Sequence, residues 1–368
     1  MTTTTKKQTQ VSQRPSQAIA CDATYGLDMA PNFVPDVDLV VSEGVAAFGV
    51  KGAGKSNICA RLVEQLSRYP LPYILFDTKG EYTNLADIKH AAPFMLATAN
   101  SCPTGYEIIT KRLQVVYDLR SWESDEGAAL AMAQVLGELF AHASAQDDPN
   151  ERTPCPCLLD EAQYWLPQGT VSYLSKEIAR QLRDAWHILA TRGRSLGLVP
   201  NYFTQNISEL NKSVMRQCGL YILMRQVLDN DLDRYCEYIR HTNAAQLKNA
   251  VRAFAPGRAV VVLPNGEQLK VTFHPRASQH PSTTPTVRGL MARLARESTP
   301  PRKQRKPHVQ EAPALPPEVA AIHAALEQNS GLSPYELMQR TGCDLDTAKQ
   351  GLMSFFYSPS APTTDPSA

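Results

Sequence analysis

The sequence contains no apolar run long enough to cross a bilayer, and its first twenty residues, rich in Thr, Gln and Ser, lack the apolar core of a signal peptide. Those absences predict a cytoplasmic chain with no direct membrane insertion, opening on a disordered tail over residues 1–25. Net charge is almost nil, +1 over 368 residues, so no global basic field argues for nucleic acid. Any such contact has to be local. The eight cysteines are scattered, and the one tight pair, Cys155 and Cys157, lacks a second pair at metal-ligand spacing. Reduced thiols fit that pattern, and neither a disulfide framework nor a zinc site does. No internal repeat is visible.

What is present is an alternation. From Gly26 to Pro275, strand-like apolar runs alternate with helical patterns, which predicts a largely parallel sheet with helices on both faces over residues 26–275. Residues 276–317 change character: rich in Pro, Ser and Thr, they carry eight basic residues (Arg276, Arg288, Arg293, Arg296, Arg302, Lys303, Arg305, Lys306) against two acidic ones, Glu297 and Glu311. That stretch reads as a basic linker, with one short helix from Val287 to Glu297. A small helical unit follows over 318–358, and residues 359–368 revert to a Pro/Ser/Thr tail.

Chemistry concentrates first at Gly49-Val50-Lys51-Gly52-Ala53-Gly54-Lys55-Ser56, a complete G-x-x-x-x-G-K-[ST] phosphate-binding loop. Val45 to Phe48 before it reads as a buried strand, and Asn57 to Leu66 after it as a helix with Ile58, Leu62 and Leu66 on one face. Glycines let backbone N–H groups of residues 49–57 turn toward phosphate oxygens, Lys55 is placed for the β and γ phosphates, and Ser56 for Mg²⁺. A P-loop NTPase using ATP and Mg²⁺ is the fold and ligand set this predicts. A second strand, Tyr73 to Phe76, runs into Asp77-Thr78-Lys79-Gly80-Glu81-Tyr82 at the same sheet edge. Asp77 and Glu81 either approach the nucleotide or its metal, or simply solvate a surface turn; the segment alone supports both.

Cys157-Leu158-Leu159-Asp160-Glu161 is an apolar strand ending in two acids. Hydrolysis of a phosphoanhydride needs a metal in register and a group that activates water, which assigns Asp160 to Mg²⁺ and Glu161 to the water. Downstream, Arg192 to Gln205 is a basic turn, a strand and a polar end. Gln205 is expected between the phosphate loop and the acidic tip, where an amide can sense the γ phosphate. Arg194 begins that strand at the opposite edge, out of reach of its own nucleotide. It suits a finger supplied to a neighbouring subunit, or a surface arginine paired with an acid.

Together, Gly49–Ser56 with its additional Gly52, Asp77–Tyr82, Leu159-Asp160-Glu161-Ala162 and Gly193–Gly197 leading to Thr204-Gln205 resemble the HerA/FtsK superfamily of ring-forming ATPases over residues 33–275. That resemblance implies a homo-oligomer, a hexameric ring, that threads double-stranded DNA using ATP and Mg²⁺. It also implies that the arginine eleven residues before the strand-end glutamine, here Arg194, acts across the subunit interface. Two features differ from the superfamily pattern: Asn206-Ile207 stand where many relatives have Arg-Pro, and the mostly polar residues before the loop suggest neither a β-barrel nor a membrane anchor.

The C-terminal unit reads as three short helices: Glu318 to Gln328, a capping box at Ser333-Pro334-Tyr335-Glu336 opening a second to Arg340, and a third from Asp344 to Phe356. A helix-turn-helix or winged-helix module has this outline. Val319, Ile322, Ala325 and Leu326 are expected to face inward, as are Leu345, Ala348, Leu352 and Phe355 or Phe356. Two aspartates at the start of the third helix oppose phosphate, so a protein partner is as consistent as DNA. Two functions therefore follow: an ATP-driven DNA motor, or a DNA-binding regulator switched by ATP through its C-terminal module.

Overall fold

A computed structural model describes residues 25–238, 244–280, 287, 316–329 and 331–357. The expected tails, the arginine-rich body of the linker and residues 288–297 of its predicted helix lie outside the described residues. The chain divides into two compact units, one ending at Thr284 and the other starting at Pro285.

In the first unit, helix α1 (Val37–Glu43) leads to β1 (Val45–Phe48), the phosphate loop and α2 (Lys55–Leu66). Strands β2 (Tyr73–Asp77), β3 (Phe94–Ala97) and β4 (Gln114–Asp118) follow, with α3 (Gly105–Thr110) between the last two, and then the long α4 (Asp125–Ser144). Next come β5 (Cys155–Asp160), the single turn α5 (Ala162–Trp165), α6 (Lys176–Arg192), β6 (Leu198–Thr204), the short α7 (Lys212–Met215) and β7 (Leu220–Met224). Helices α8 (Asp229–Tyr238) and α9 (Ala244–Arg252) precede a closing hairpin, β8 (Arg258–Val262) and β9 (Gln268–Thr272). Among the described residues these strands form one nine-stranded sheet in the order β3-β4-β2-β5-β6-β1-β7-β8-β9. It is parallel from β3 through β7 along that order, and the β7–β8 and β8–β9 pairs are antiparallel. The mostly parallel α/β fold expected from the alternating pattern is the fold observed.

Strand periodicity divides the core into two layers. Ala46 and Phe48 of β1, with Ile74 and Phe76 of β2, pack on one face against Met132 and Leu136 of α4 and Leu182 and Trp186 of α6. Their neighbours Val45, Ala47, Tyr73 and Leu75 face the other way, against Val40 of α1 and Ile58, Leu62 and Leu66 of α2. Because both faces are covered, β1, β2 and β5 are buried at every position. Helix α2 begins at Lys55, two residues before the point its apolar period suggests, because the loop's Gly54 serves as its left-handed N-cap.

Beyond β9, residues 274–280 run back as a strap across α2. Glu64, a carboxylate buried on that helix, accepts hydrogen bonds from the backbone N–H groups of Ala277 (2.9 Å) and Ser278 (2.8 Å) and from the Ser278 hydroxyl (2.6 Å). Arg276 donates to the Glu81 carbonyl at 2.9 Å, and its guanidinium lies 5.8 Å from the Tyr82 ring centroid.

The second unit contains α10 (Pro317–Gln328), α11 (Pro334–Thr341) and α12 (Leu345–Tyr357) around Ile322, Leu326, Leu332, Leu337 and Ala348. The capping box forms, with the Ser333 hydroxyl on the Glu336 N–H and the Glu336 carboxylate on the Ser333 N–H. Two sequence expectations differ here. Leu345 is 40% exposed, because as the first residue of α12 it precedes the turn that meets the core, and Val319 stands outside the buried cluster. Gly351 lets α12 close on α10; a Cβ there would lie 2.7 Å from Ile322.

Replacing Glu64 by Ala should destabilise the first unit by about 3 kcal/mol, since it leaves buried strap donors unsatisfied, whereas Glu64→Gln, which keeps one acceptor, should lose about 1 kcal/mol. Urea unfolding midpoints check this. Equal stability of wild type and Glu64→Ala would show that the strap contributes nothing.

Candidate functional site

Parallel strands deliver their carboxyl ends to one edge of the sheet, and the polar residues read from the sequence gather there. The phosphate loop is suspended between neighbouring elements: Gly49 N–H donates to the Thr204 carbonyl at the end of β6 (3.3 Å), Val50 N–H to the Arg225 carbonyl beyond β7 (3.0 Å), and Gly257 N–H to the Ala53 carbonyl (2.8 Å). Gly54 takes φ +107°, and a Cβ there would lie 3.0 Å from the Gly257 nitrogen, so both the turn and the close approach require glycine. Lys55 is buried, its ammonium donating to the Gly49 carbonyl at 2.9 Å. Burial pushes its pKa down, while the charges of Glu161 and Asp160 pull it back up. Ser56 follows in the first turn of α2, half-buried. The Asn57 side chain is turned to the strap instead, donating to the His274 carbonyl (2.9 Å) and accepting from Arg276 N–H (2.8 Å).

At the tip of β5, Asp160 is buried, and no donor among the described residues hydrogen-bonds its carboxylate. Burial first, then the neighbouring charges of Glu161, Asp77 and Glu81, push its pKa well above the ordinary carboxylate value. Its backbone is pinned separately: Thr78 Oγ1 donates to the Asp160 carbonyl (2.9 Å) and accepts from Trp165 Nε1 (2.8 Å). Glu161 then leaves the strand in the left-handed region, φ 50° and ψ 46°, which costs a non-glycine residue energy and marks a side chain held for a purpose. Its carboxylate is fully engaged. Lys79 Nζ and Gln205 Nε2 both donate to Oε1, and Gln163 Nε2 donates to Oε2. Burial raises the Glu161 pKa, but these hydrogen bonds and the Lys79 charge outweigh it and hold the group below its ordinary value.

The turn after β2 has two different acids. Asp77 is buried and closes its own turn, Oδ1 accepting from the N–H groups of Gly80 (2.7 Å), Glu81 (3.1 Å) and Lys79 (3.2 Å) and Oδ2 from that of Tyr82 (2.9 Å). Those four bonds leave Asp77 shaping the turn that aims Lys79 at Glu161. Glu81 Oε2 lies 3.7 Å from His280 Nε2 on the strap.

Strand β6 lies between β5 and β1, so Gln205 emerges between the acidic tip and the loop. Thr204 Oγ1 and Gln205 N–H both donate to Gln163 Oε1, which closes the circuit Lys79–Glu161–Gln163–Thr204. Asn206 accepts from Thr204 Oγ1 through its carbonyl (3.4 Å), and Ile207 is buried in the core. Arg194, in a short turn before β6, is 69% exposed and pairs with Glu43 at the opposite end of the sheet. Spacing did not single out Gln163 or the Lys79 ammonium. Lys79 had a visible signal, its place inside the Asp77–Tyr82 motif; Gln163 had none, because only the left-handed turn at Glu161 brings it back.

A phosphate loop, a buried acid without a donor, an engaged glutamate and a strand-end glutamine on one edge of a mostly parallel sheet define a P-loop ATPase. Residues 33–239 match the family described as helicase HerA, central domain, more than half the chain, and the protein belongs to that family. No curated protein matches the sequence. Among solved structures it resembles the genome packaging NTPase B204 of Sulfolobus turreted icosahedral virus 2 in complex with AMPPCP, at 20% identity and TM-score 0.42, over 64% of this chain and 98% of that one. It also resembles the pCW3 conjugation coupling protein TcpA with ATPγS (14%, TM-score 0.42, 69% and 68%). A third is EssC ATPases 2 and 3 of Geobacillus thermodenitrificans (14%, TM-score 0.40, 77% and 49%). No helix among the described residues is long and apolar enough to cross a membrane.

Burial outweighs the four backbone donors and pushes the Asp77 carboxyl up to about 6 from 3.8. The folded chain therefore keeps a proton that the unfolded chain releases, and stability falls as pH rises from about 4 to about 6. Asp77→Asn should remove that part of the slope. Urea midpoints of the two proteins across this window check it, and identical slopes would contradict the assignment.

Proposed function

We propose that the chain is an ATP-hydrolysing ring motor that moves double-stranded DNA. The observation that carries the reading is the separation of two functional halves along one strand. Gln205, Glu161 and Lys55 gather at the carboxyl end of β6, while Arg194 precedes its amino end, roughly 20 Å away for a strand of this length. No side chain spans that gap, so Arg194 suits a site on an adjacent copy, as a finger in trans. Membership of the HerA family supports DNA as the cargo and a hexameric ring as the assembly.

Within one site the roles follow from the geometry. Backbone N–H groups of Gly49 to Ser56 and the Lys55 ammonium cradle the phosphates, and Lys55 exchanges its bond to the Gly49 carbonyl for phosphate oxygens. Glu161 takes the proton of a water that attacks the γ phosphorus; the bond from that phosphorus to the bridging oxygen breaks, leaving ADP and inorganic phosphate. Gln205 touches Glu161 directly and links the state of the γ phosphate to it. With Lys79, Gln163 and Gln205 all on its carboxylate, Glu161 is a weak base in the pose observed. Hydrolysis requires at least one of these donors to let go.

The donor set at the β5 tip also fits Mg²⁺. Asp160, a buried carboxylate with no protein donor, and the Ser56 hydroxyl are the groups that would hold it, and an octahedral ion that keeps several waters needs few protein ligands. When bound it would supply positive charge to the triphosphate.

In the second unit we propose a helix-turn-helix-like module that docks a protein partner. Asp344 caps α12 by accepting from the N–H groups of Asp346 and Thr347, so that helix presents acid at its amino end, where DNA phosphates would have to approach.

Glu161→Gln and Arg194→Ala should each bind ATP but lose DNA-stimulated hydrolysis by about a hundredfold or more. Mixing the two variants should restore part of the activity, because a Glu161→Gln subunit still offers Arg194 to an Arg194→Ala neighbour whose own Glu161 is intact. Phosphate release with and without duplex DNA measures this, and a mixture as inactive as its components would rule out the trans assignment. Lys79→Ala should move the acid limb of the rate profile to higher pH, since it removes a cation that lowers the Glu161 pKa. An unmoved limb would show that Lys79 does not control that carboxylate.

A further inference from the structure

Arg225 follows β7 and stands beside the phosphate loop with nothing to neutralise it. Its carbonyl accepts from Val50 N–H at 3.0 Å, so its backbone is fixed relative to the loop. Its guanidinium reaches over Gly52: a Cβ built on that glycine would meet one atom within 4 Å, Arg225 Nη2 at 3.9 Å. Among the described residues no carboxylate pairs with it, and its Nε is buried without an acceptor. The acids of the following helix α8 do not pair with it either. Asp229 pairs with Arg252, Asp233 with Lys248, and Asp231 accepts from Ser208 N–H through Oδ1, while its buried Oδ2 bonds neither Arg225 nor any other donor among the described residues.

A partly desolvated guanidinium without an acceptor is unfavourable until an anion supplies one. Its planar fork fits two oxygens of a phosphate group, which a lysine point charge cannot match. We infer that Arg225 is a second phosphate-binding cation of this site, supplied by the same chain and gripping the phosphate chain from the Gly52 side while Lys55 grips it from the helix side. The inference rests on the ATPase reading above and adds a binding residue that the phosphate-loop motif does not contain. Gly52 is called for by its φ of +76°, and the guanidinium lies at contact distance from the position its Cβ would take.

The test is equilibrium binding of MgADP and of tripolyphosphate to the full chain, comparing wild type with Arg225→Ala, Arg225→Gln and Arg225→Lys, and with thermal melting to verify folding. Removing the charge should weaken both ligands by about ten- to a hundredfold, the range of a charge-assisted hydrogen bond, with Arg225→Lys recovering part. If Arg225→Ala does not fold, Arg225→Gln carries the same comparison. Unchanged affinity in a folded variant overturns the inference while leaving the ATPase reading intact. Weaker MgADP with unchanged tripolyphosphate overturns it too, because the contact would then be to the nucleoside. A wild type that binds neither ligand sinks the ATPase reading, and this inference with it.

Discussion

Two carboxylates placed at the end of a buried parallel strand must be balanced, and that electrostatic demand organises the site. Asp160 and Glu161 sit where water is scarce, so their charges are costly unless cations face them. Lys55 from the phosphate loop and Lys79 from the β2 turn provide that balance, and their own pKa shifts show the coupling: burial lowers Lys55 against the pull of both acids, and at Lys79 burial is outweighed by the hydrogen bond and charge of Glu161, which raise it. The balance is uneven. Glu161 has three donors and Asp160 has none, so one acid is restrained and the other is left to attract a positive partner. On the proposed function, a triphosphate entering this cluster would draw Lys55 away from the two acids and so alter the balance around Glu161.

Topology converts that local balance into a two-sided device. Because β6 is inserted between β5 and β1, its carboxyl end delivers Gln205 to the restrained glutamate, while Arg194 before its amino end is carried to the far edge. Both faces of the sheet are packed, β6 is buried at every position, and a strand held this way does not flex independently. Gln205 and Arg194 are therefore joined through a rigid element.

The fold and the phosphate loop were legible in the sequence because their determinants are local. Gly52 and Gly54 need positive φ, Val45 to Phe48 needs an apolar strand, and parallel topology needs alternating strands and helices; each leaves a pattern within a few residues. The acidic strand end at Asp160 and Glu161 was legible for the same reason. The two uses of the Asp77–Tyr82 turn were not separable, since deciding between them requires knowing that four N–H groups converge on Asp77. The side chain of Asn57 shows the limit most clearly: its amide bonds His274 and Arg276, more than two hundred residues away, contacts that no local pattern announces. Gln163 and Arg225 depend on a left-handed turn and on a neighbouring strand end, and neither leaves a mark in spacing.

The same long-range bonding ties the phosphate loop to the far end of its unit. Helix α2 opens with Lys55 and Ser56 at the site, and its outer face holds the strap through Asn57 and Glu64, while Arg276 reaches from the strap to the Glu81 carbonyl and lies over Tyr82. The strap is thus bonded both to the helix that carries the phosphate-binding lysine and to the turn that carries Lys79. Buried charge-assisted bonds such as those to Glu64 are costly to break, so separating the strap from α2 carries an energetic penalty.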